Sequence, residues 1–499
     1  MSNESITGSV DESITGSVDE AATGTVIDGW EIVIGLEVHV ELNTATKLFC
    51  GCRNSFGDEP NTNICPTCLG LPGSLPVLNA QAVESAMLLG RALNCTVNSS
   101  VFARKNYFYP DQPKDYQVSQ YDLPTNTDGW IDLTGFGRVA IERAHIEEDA
   151  GKLNHGGGDG RIHGAEYSMA DYNRAGVPLV EVVSHPDMRS AEQAKAYVTE
   201  LRSIVLALDV SDAKMEEGSM RVDANVSVRP VGSDELRTRC EVKNINSLRS
   251  LERAIDYEAR RHVDLYNAGE RPIQSTRHWD EEAGRTRDGR SKEDADDYRY
   301  FPEPDLVPLV VTADDIARID AALPVLPDAR RRALADVAGA TEDEITLVVE
   351  RGLDRLVLDA ISEGADAKRA VIHAVNNLAE GAGKLTPGPF AALIGMETAS
   401  DLSATQAKEV LAELVSAGGG PREVATAKGF EAMDSGELES ILDGIIAESP
   451  DEWQRFCDGD DKDRKKMSGM FTGQIMKATR GQANGAAVAR LLNSRASRN

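Results

Sequence analysis

In residues 31–42, EIVIGLEVHVEL, the positions Glu37, His39 and Glu41 alternate with Leu36, Val38, Val40 and Leu42. Successive residues of a strand point to opposite faces, so this stretch separates an apolar face that can build core from a face carrying two carboxylates and an imidazole. Two further acid clusters have a similar setting. RAHIEEDAGKL brings Glu147, Glu148 and Asp149 next to His145, and KMEEGSMRVDANVSV contains Glu216, Glu217 and Asp223. Both sit at the ends of apolar strands beside a glycine, Gly151 or Gly218, where backbone can approach a ligand closely. Carboxylate oxygens with an imidazole suit Mg2+, the usual companion of nucleotide phosphates. Any one cluster, taken alone, reads first as a solvated face of an acidic protein; their shared setting is what argues for chemistry.

A different chemistry is written in LFCGCRNSFGDEPNTNICPTCLGLPG. Cys50 and Cys52 form a C-x-C pair, and Cys65 and Cys68 form a C-x-x-C pair beyond a turn-rich loop. Two such knuckles can present four thiolates tetrahedrally to Zn2+, leaving no open position, so the metal would be structural. Cys95, Cys240 and Cys457 stand alone and read as small buried hydrophobes. ARKNYFYPDQPKDYQVSQYDLP joins Arg104, Lys105 and Lys114 to Tyr107, Tyr109, Tyr116 and Tyr121, a mixture that suits a polar cleft. GRTRDGRS, residues 284–291, has the look of a phosphate loop but follows no buried strand, so that reading fails.

The elements that must position these groups fall into zones. A chain of 499 residues exceeds one ordinary core. Residues 1–28, with ESITGSVD repeated in tandem, are expected to form a disordered acidic tail. Residues 29–305 mix short alternating strands with amphipathic helices, an α+β pattern with a mainly antiparallel sheet. From 306 to 420 the texture is all-helical, and GGGP at residues 418–421 marks a hinge before a small helical tail, 421–499. A formal net charge of −29 argues against unspecific attraction to polyanions, yet residues 464–499 contain no carboxylate and are basic throughout. That end is the place to expect phosphate-backbone contact, through Lys465, Lys466, Lys477 and Arg480 among others. High acidity, few aromatics and more arginine than lysine resemble halophilic proteins, pointing to a halophilic archaeon-like source. No apolar run is long enough to span a bilayer and no signal peptide is evident, so a cytoplasmic protein with no membrane partner is expected.

In order along the chain, IGLEVHVEL, RKNYFYPDQPKDYQVSQYD, HIEEDAGK, DYNRAGVPLVEVVSHPD, KMEEGSMRVDANVSV, EVKNINS, DYRYFPEPDL and GQIMKATRGQANGAAVARLL resemble the B-subunit (GatB) family of aspartyl/glutamyl-tRNA amidotransferases. The resemblance runs from Glu31 to the C-terminus. It implies a cradle-like catalytic domain, a helical domain and a YqeY-like, tRNA-binding tail, in a cytoplasmic heterotrimer with an amidase (glutaminase) A-subunit and a small C-subunit. It also implies ATP-dependent phosphorylation of the side-chain carboxylate of Asp-tRNA(Asn) or Glu-tRNA(Gln), followed by amidation with ammonia. On this resemblance Glu37, His39, Glu147, Glu148 and Asp223 face the Mg2+·ATP site, with Glu37, His39 and Glu148 as magnesium ligands. Lys105, Tyr107 and Lys114 line the cleft or the ammonia path. Asp171, Asn173, Arg174 and Glu181 belong to the family signature without separate roles. The chain shows no Ser-Ser-Lys amidase signature, which agrees with ammonia made by a partner. Two alternatives stay open: an archaeal relative that carries an inserted domain, and a noncatalytic zinc-ribbon scaffold for RNA.

Overall fold

The computed structural model describes residues 24–157, 165–291, 298–430, 435–479, 483 and 485–497. Strand β1 (Val26–Ile27) turns through Asp28 and Gly29, with φ of 49° and 84°, and pairs with β2 (Trp30–Glu41). Asp-Gly supplies the left-handed backbone that a two-residue hairpin needs. Residues 26–28, expected in the tail, instead belong to this hairpin, and residues 1–23 lie outside those described.

Next along the chain come β3 (Thr96–Val97), β4 (Ala103–Asn106), β5 (Tyr116–Ser119), β6 (Asn126–Leu133), β7 (Gly137–Glu148), β8 (Lys152–Gly156) and β9 (Tyr167–Asp171). They are followed by β10 (Pro178–Ser184), β11 (Met220–Pro230), β12 (Cys240–Ile245), β13 (Ser275–Asp280), β14 (Arg285–Ser291) and β15 (Phe301–Pro302). The main sheet runs β14-β13-β12-β11-β2-β10-β7-β6-β3, and β1 joins it at β2. Every pairing is antiparallel except β12 with β13, so the α+β fold with a mainly antiparallel sheet is as expected. A small sheet, β15-β4-β5, carries the tyrosine- and lysine-rich motif, and β8 pairs with β9.

Helices α1 (Ala80–Ala92), α2 (Ala191–Ala207) and α3 (Leu248–Asn267) pack on the apolar side. Each begins where its sequence provides a cap: Asn79, Ser190 and Ser247 accept hydrogen bonds from first-turn N–H groups. Ile32, Ile34, Leu36, Val38, Val40 and Leu42 are 0–1% exposed, which places the alternate aliphatic residues of β2, and Leu42 just beyond it, in this core. Helix α4 (Ala313–Ala322) joins it through Ile319 and through the pairs Arg91–Asp320 and Arg318–Glu84.

The chain divides into two compact units between Leu326 and Pro327, each with its own interior. Among the described residues the second unit is helical, and it has two cores. Residues including Leu334, Val357, Phe390, Leu393 and Leu411 build the first, and Trp453, Phe456, Phe471, Ile475 and Leu492 the second. Helix α4, expected with the all-helical stretch, instead packs in the first unit, because periodicity reveals an apolar face but not the neighbour that covers it. Gly418 and Gly419 take φ of 76° and 103°, yet Ala425 just beyond them still packs into the earlier of these cores. No described helix is long and apolar enough to cross a membrane.

Helix α1 approaches β6 closely at Gly90. Buried Asn126 donates to Ala86 O at 3.1 Å and to Ala144 O at 2.9 Å, and a Cβ on Gly90 would lie 1.9 Å from Asn126 Oδ1. Gly90→Ala should therefore destabilise by about 1–3 kcal/mol through overpacking, although alanine is the better helix former. Thermal unfolding checks this: an unchanged or raised Tm would contradict the close approach.

Candidate functional site

Antiparallel register lines up the polar positions of four strands. Glu181 on β10 lies opposite His39 of β2 on one side and His145 of β7 on the other, while Asp223 of β11 lies opposite Glu37. Two clusters result. Single donor atoms of His39, Glu147 and Glu181 lie within 4.8 Å of one another, as do those of Glu37, Asp223 and Glu241.

The first cluster packs two carboxylates against two imidazoles. His39 Nε2 is 3.6 Å from Glu147 Oε1 and 4.0 Å from Glu181 Oε1, and His145 Nε2 is 3.1 Å from Glu181 Oε2. Burial opposes ionisation of Glu181, but His145 and then His39 hold its carboxyl well below the usual range. Glu147 is pushed upward, first by burial and then by the charge of Glu181. A divalent cation fits there: it would favour the ionised form of Glu147 against burial and the charge of Glu181.

The second cluster already has a cation. Lys243 Nζ lies 2.6 Å from Asp223 Oδ2 and 3.1 Å from Glu241 Oε1, and Asn225 Nδ2 donates to Glu37 Oε1 at 2.9 Å. Glu37 is raised by burial first and by Glu181 and Glu241 next, with Lys243 working the other way. Beside it, a cavity of about 450 Å³ is bounded by Glu37, Ser184, Asn225, Arg237 and Arg239.

Glu148 does not join His39 and Glu37. Alternation along β7 turns it to the side of Ala144 and Ile146, where Val118 N donates to its Oε1 at 2.9 Å and Lys114 forms an ion pair with it. The expected magnesium set Glu37, His39 and Glu148 is thus not assembled. Glu147, one residue earlier, takes that position, and Glu181, given no separate role by the sequence, completes the triad. Lys105 keeps its ammonium 4.8 Å from the Tyr298 ring centroid, and Tyr107 has its ring centroid 5.9 Å from that of Tyr109.

Cys50, Cys52, Cys65 and Cys68 bring one sulfur each within 4.8 Å of the others, as a tetrahedral Zn2+ requires. The signature residues hold this knuckle. Asp171 Oδ1 accepts from Asn61 N and Asn173 N, both at 3.0 Å, while Asn63 N donates to Asn173 Oδ1 at 2.8 Å. Gly70, with φ 66°, lets the knuckle close on Lys114, for a Cβ there would lie 2.5 Å from Lys114 Cγ. Arg174 sits 3.3 Å from Asp149, which also pairs with Arg221.

In the tail, the long helix Asp461–Ala478 exposes Lys465, Lys466 and Lys477. Arg480 lies outside the described residues. Arg495 is engaged by Asp443, and Arg464 donates to Phe456 O at 3.1 Å.

Sequence reasoning missed Lys243, Glu241, Asn225 and Arg221. Strand parity could have found them, since each sits two or four residues from a neighbour on the polar face of β11 or β12.

Residues 32–317 match the family model described as the GatB/GatE catalytic domain, and residues 359–495 match the GatB domain. The B-subunit of the aspartyl/glutamyl-tRNA(Asn/Gln) amidotransferase of Frankia casuarinae is 48% identical over 490 residues, covering 94% of this chain and 96% of its own. The chain belongs to the GatB family. Two more GatB relatives, from Nocardia farcinica (46% identical) and Thermobifida fusca (44%), each cover 94% of this chain and 96% and 95% of themselves. These GatB proteins are bacterial, so the halophilic archaeon-like source expected from composition finds no support.

One carboxyl near the site should be visible in the pH dependence of stability. Glu41 is pushed up to about 8, by burial first and then by Asp149, against Arg221 and Arg174. Its ordinary value is 4.5, so between the two values the folded chain holds a proton that the unfolded chain releases, and stability falls as pH rises. Glu41→Gln should flatten that decline between about pH 5 and 8. Tm measured across this range for both proteins tests it; parallel curves would contradict it.

Proposed function

We propose that the first unit is the phosphorylating half of the amidotransferase to which GatB subunits belong. Membership of the family makes the chain a subunit of a tRNA-dependent amidotransferase, a ligase acting in translation. The reading holds that ATP phosphorylates the side-chain carboxylate of Asp-tRNA(Asn) or Glu-tRNA(Gln). A carboxylate oxygen attacks the γ-phosphorus and ADP leaves; ammonia then attacks the acyl carbon, phosphate leaves and a proton is lost. The observation that carries the reading is the convergence of His39, Glu147 and Glu181 on one face of the sheet.

Mg2+ held by these three residues would supply charge neutralisation at the phosphates, which is what phosphoryl transfer chiefly needs. The surrounding residues have their own tasks. His145 orients Glu181 through the 3.1 Å contact and keeps it ionised. Lys243 neutralises Asp223 and Glu241, so that Glu37 and Asn225 can face the neighbouring cavity, whose size suits a nucleotide. Arg237 and Arg239 give its wall positive charge for phosphate. Lys105 and Tyr107 would line the cleft or the path of ammonia, with Lys114 behind them on Glu148. Zn2+ on the four cysteines would brace the loop that packs on Lys114.

Ammonia would come from an amidase A-subunit, with a small C-subunit completing a cytoplasmic heterotrimer. The basic tail would hold the body of the tRNA through phosphate and shape, since the deep major groove of duplex RNA offers side chains little to read.

ATP-dependent phosphate release by the reconstituted complex, with each misacylated tRNA in turn, tests this reading. Release should require misacylated tRNA, and Glu147→Gln should lower its rate about 100-fold or more while tRNA affinity stays within about two-fold. Full activity of the variant at saturating Mg2+ would refute the metal assignment. Deleting the residues after Gly420 should weaken tRNA binding about ten-fold or more at fixed salt and leave the KM for ATP unchanged. Equal loss of both would refute the role given to the tail.

A further inference from the structure

The motifs QVSQYD and DYRYFPEPDL, far apart in the chain, put three tyrosines together. The rings of Tyr121 and Tyr300 stack with centroids 4.3 Å apart and an interplanar angle of 13°, and Tyr298 meets Tyr300 edge-on at 6.0 Å. Lys105 Nζ lies 4.8 Å from the Tyr298 centroid. The group lies beside the strand end that carries Glu147: Gln120, next to Tyr121, accepts from Ile146 N at 2.9 Å, and Gln117, opposite Lys105 across β4 and β5, donates to Glu148 O at 2.8 Å. A stacked pair in a protein interior would bury both rings, yet Tyr121 remains 53% exposed. One of its faces is covered by Tyr300, and about half of the side chain stays accessible to a further partner.

We propose that this tyrosine stack is a shelf for an unpaired base at the 3′ end of the tRNA, so that Tyr121 is a binding residue for the acceptor end. The proposal rests on the phosphorylating role given to the triad, and it names how the substrate is held there. The amino acid is esterified to the terminal ribose, so a carboxylate delivered to the triad brings unpaired nucleotides with it. Such bases expose π-faces that duplex bases hide, and stacking on an aromatic ring recognises them without demanding a sequence. An ammonium beside the shelf complements the phosphates that link them. ATP also carries a base, but the cavity next to Glu37 already offers it space, bounded by Gly35, Glu142 and Ser184 and several residues back along the strands from Glu147 at the end of β7.

In the reconstituted complex, Tyr121→Ala should raise the KM for misacylated tRNA about ten-fold and leave the KM for ATP unchanged, while Tyr121→Phe, which keeps the ring, should match wild type. Binding of uncharged tRNA gives a second readout that needs no turnover. Removing the unpaired 3′ nucleotides should weaken binding to wild type but not to Tyr121→Ala. An unchanged KM for tRNA in the alanine variant, or a rise in the KM for ATP in its place, would overturn the shelf; so would equal sensitivity of both proteins to the shortened tRNA. Wild-type complex that releases no phosphate with ATP and misacylated tRNA would instead defeat the catalytic reading, and the binding comparison would still decide the shelf.

Discussion

Strand β2 has hydrogen-bonded neighbours on both edges, so its side chains can take only two directions. One direction is filled by six aliphatic residues pressed against helices, and a slip of one residue would drive Glu37, His39 and Glu41 into that layer. Burial of the aliphatic set is therefore what fixes the charged set. Because β10 and β11 flank β2 and β7 flanks β10, the same register is passed across the sheet, and Glu181, His145, Glu147 and Asp223 are carried along with it.

Once the carboxylates are held on this face, each needs a counter-charge. Asp149 finds Arg221 and Arg174 and is kept at about 2 although it is buried, while Asp223 and Glu241 share Lys243. Glu181 has the two imidazoles. Glu147 has His39, His145 and, after them, Lys105, and burial still opposes its ionisation. A metal beside Glu147 would favour the ionised form that burial opposes. An overall charge of −29 does not explain this pattern, since it arises from local pairing and desolvation.

Much of this was legible beforehand, for physical reasons. The alternation in residues 31–42 and the cysteine spacing are local signals. Tertiary packing agreed with them. The choice between Glu147 and Glu148 was not legible from the motif HIEED, because both are acids at the end of one strand. Only the parity that puts Ala144 and Ile146 in the core excludes Glu148 from the triad. Helix α4 was assigned to the wrong neighbour for a related reason: its stripe is apolar, but the partner lies more than 200 residues away, as the contact of Arg318 with Glu84 shows. The hairpin at Asp28-Gly29 was overlooked even though the dipeptide announces it, because the preceding repeat drew the boundary too far along the chain.

The cysteine knuckle has a further consequence, for the order in which the chain can fold. Its loop is fastened by Asn61 to Asp171 and by Asn63 to Asn173, contacts spanning 110 residues of sequence. A loop of that length has a high closure entropy, which is recovered only when β9 and the segment after it have docked. During synthesis the four thiols therefore emerge and remain without their clamp until residue 173 has left the ribosome. The side chains that hold the cysteine loop thus follow it by 110 residues of chain.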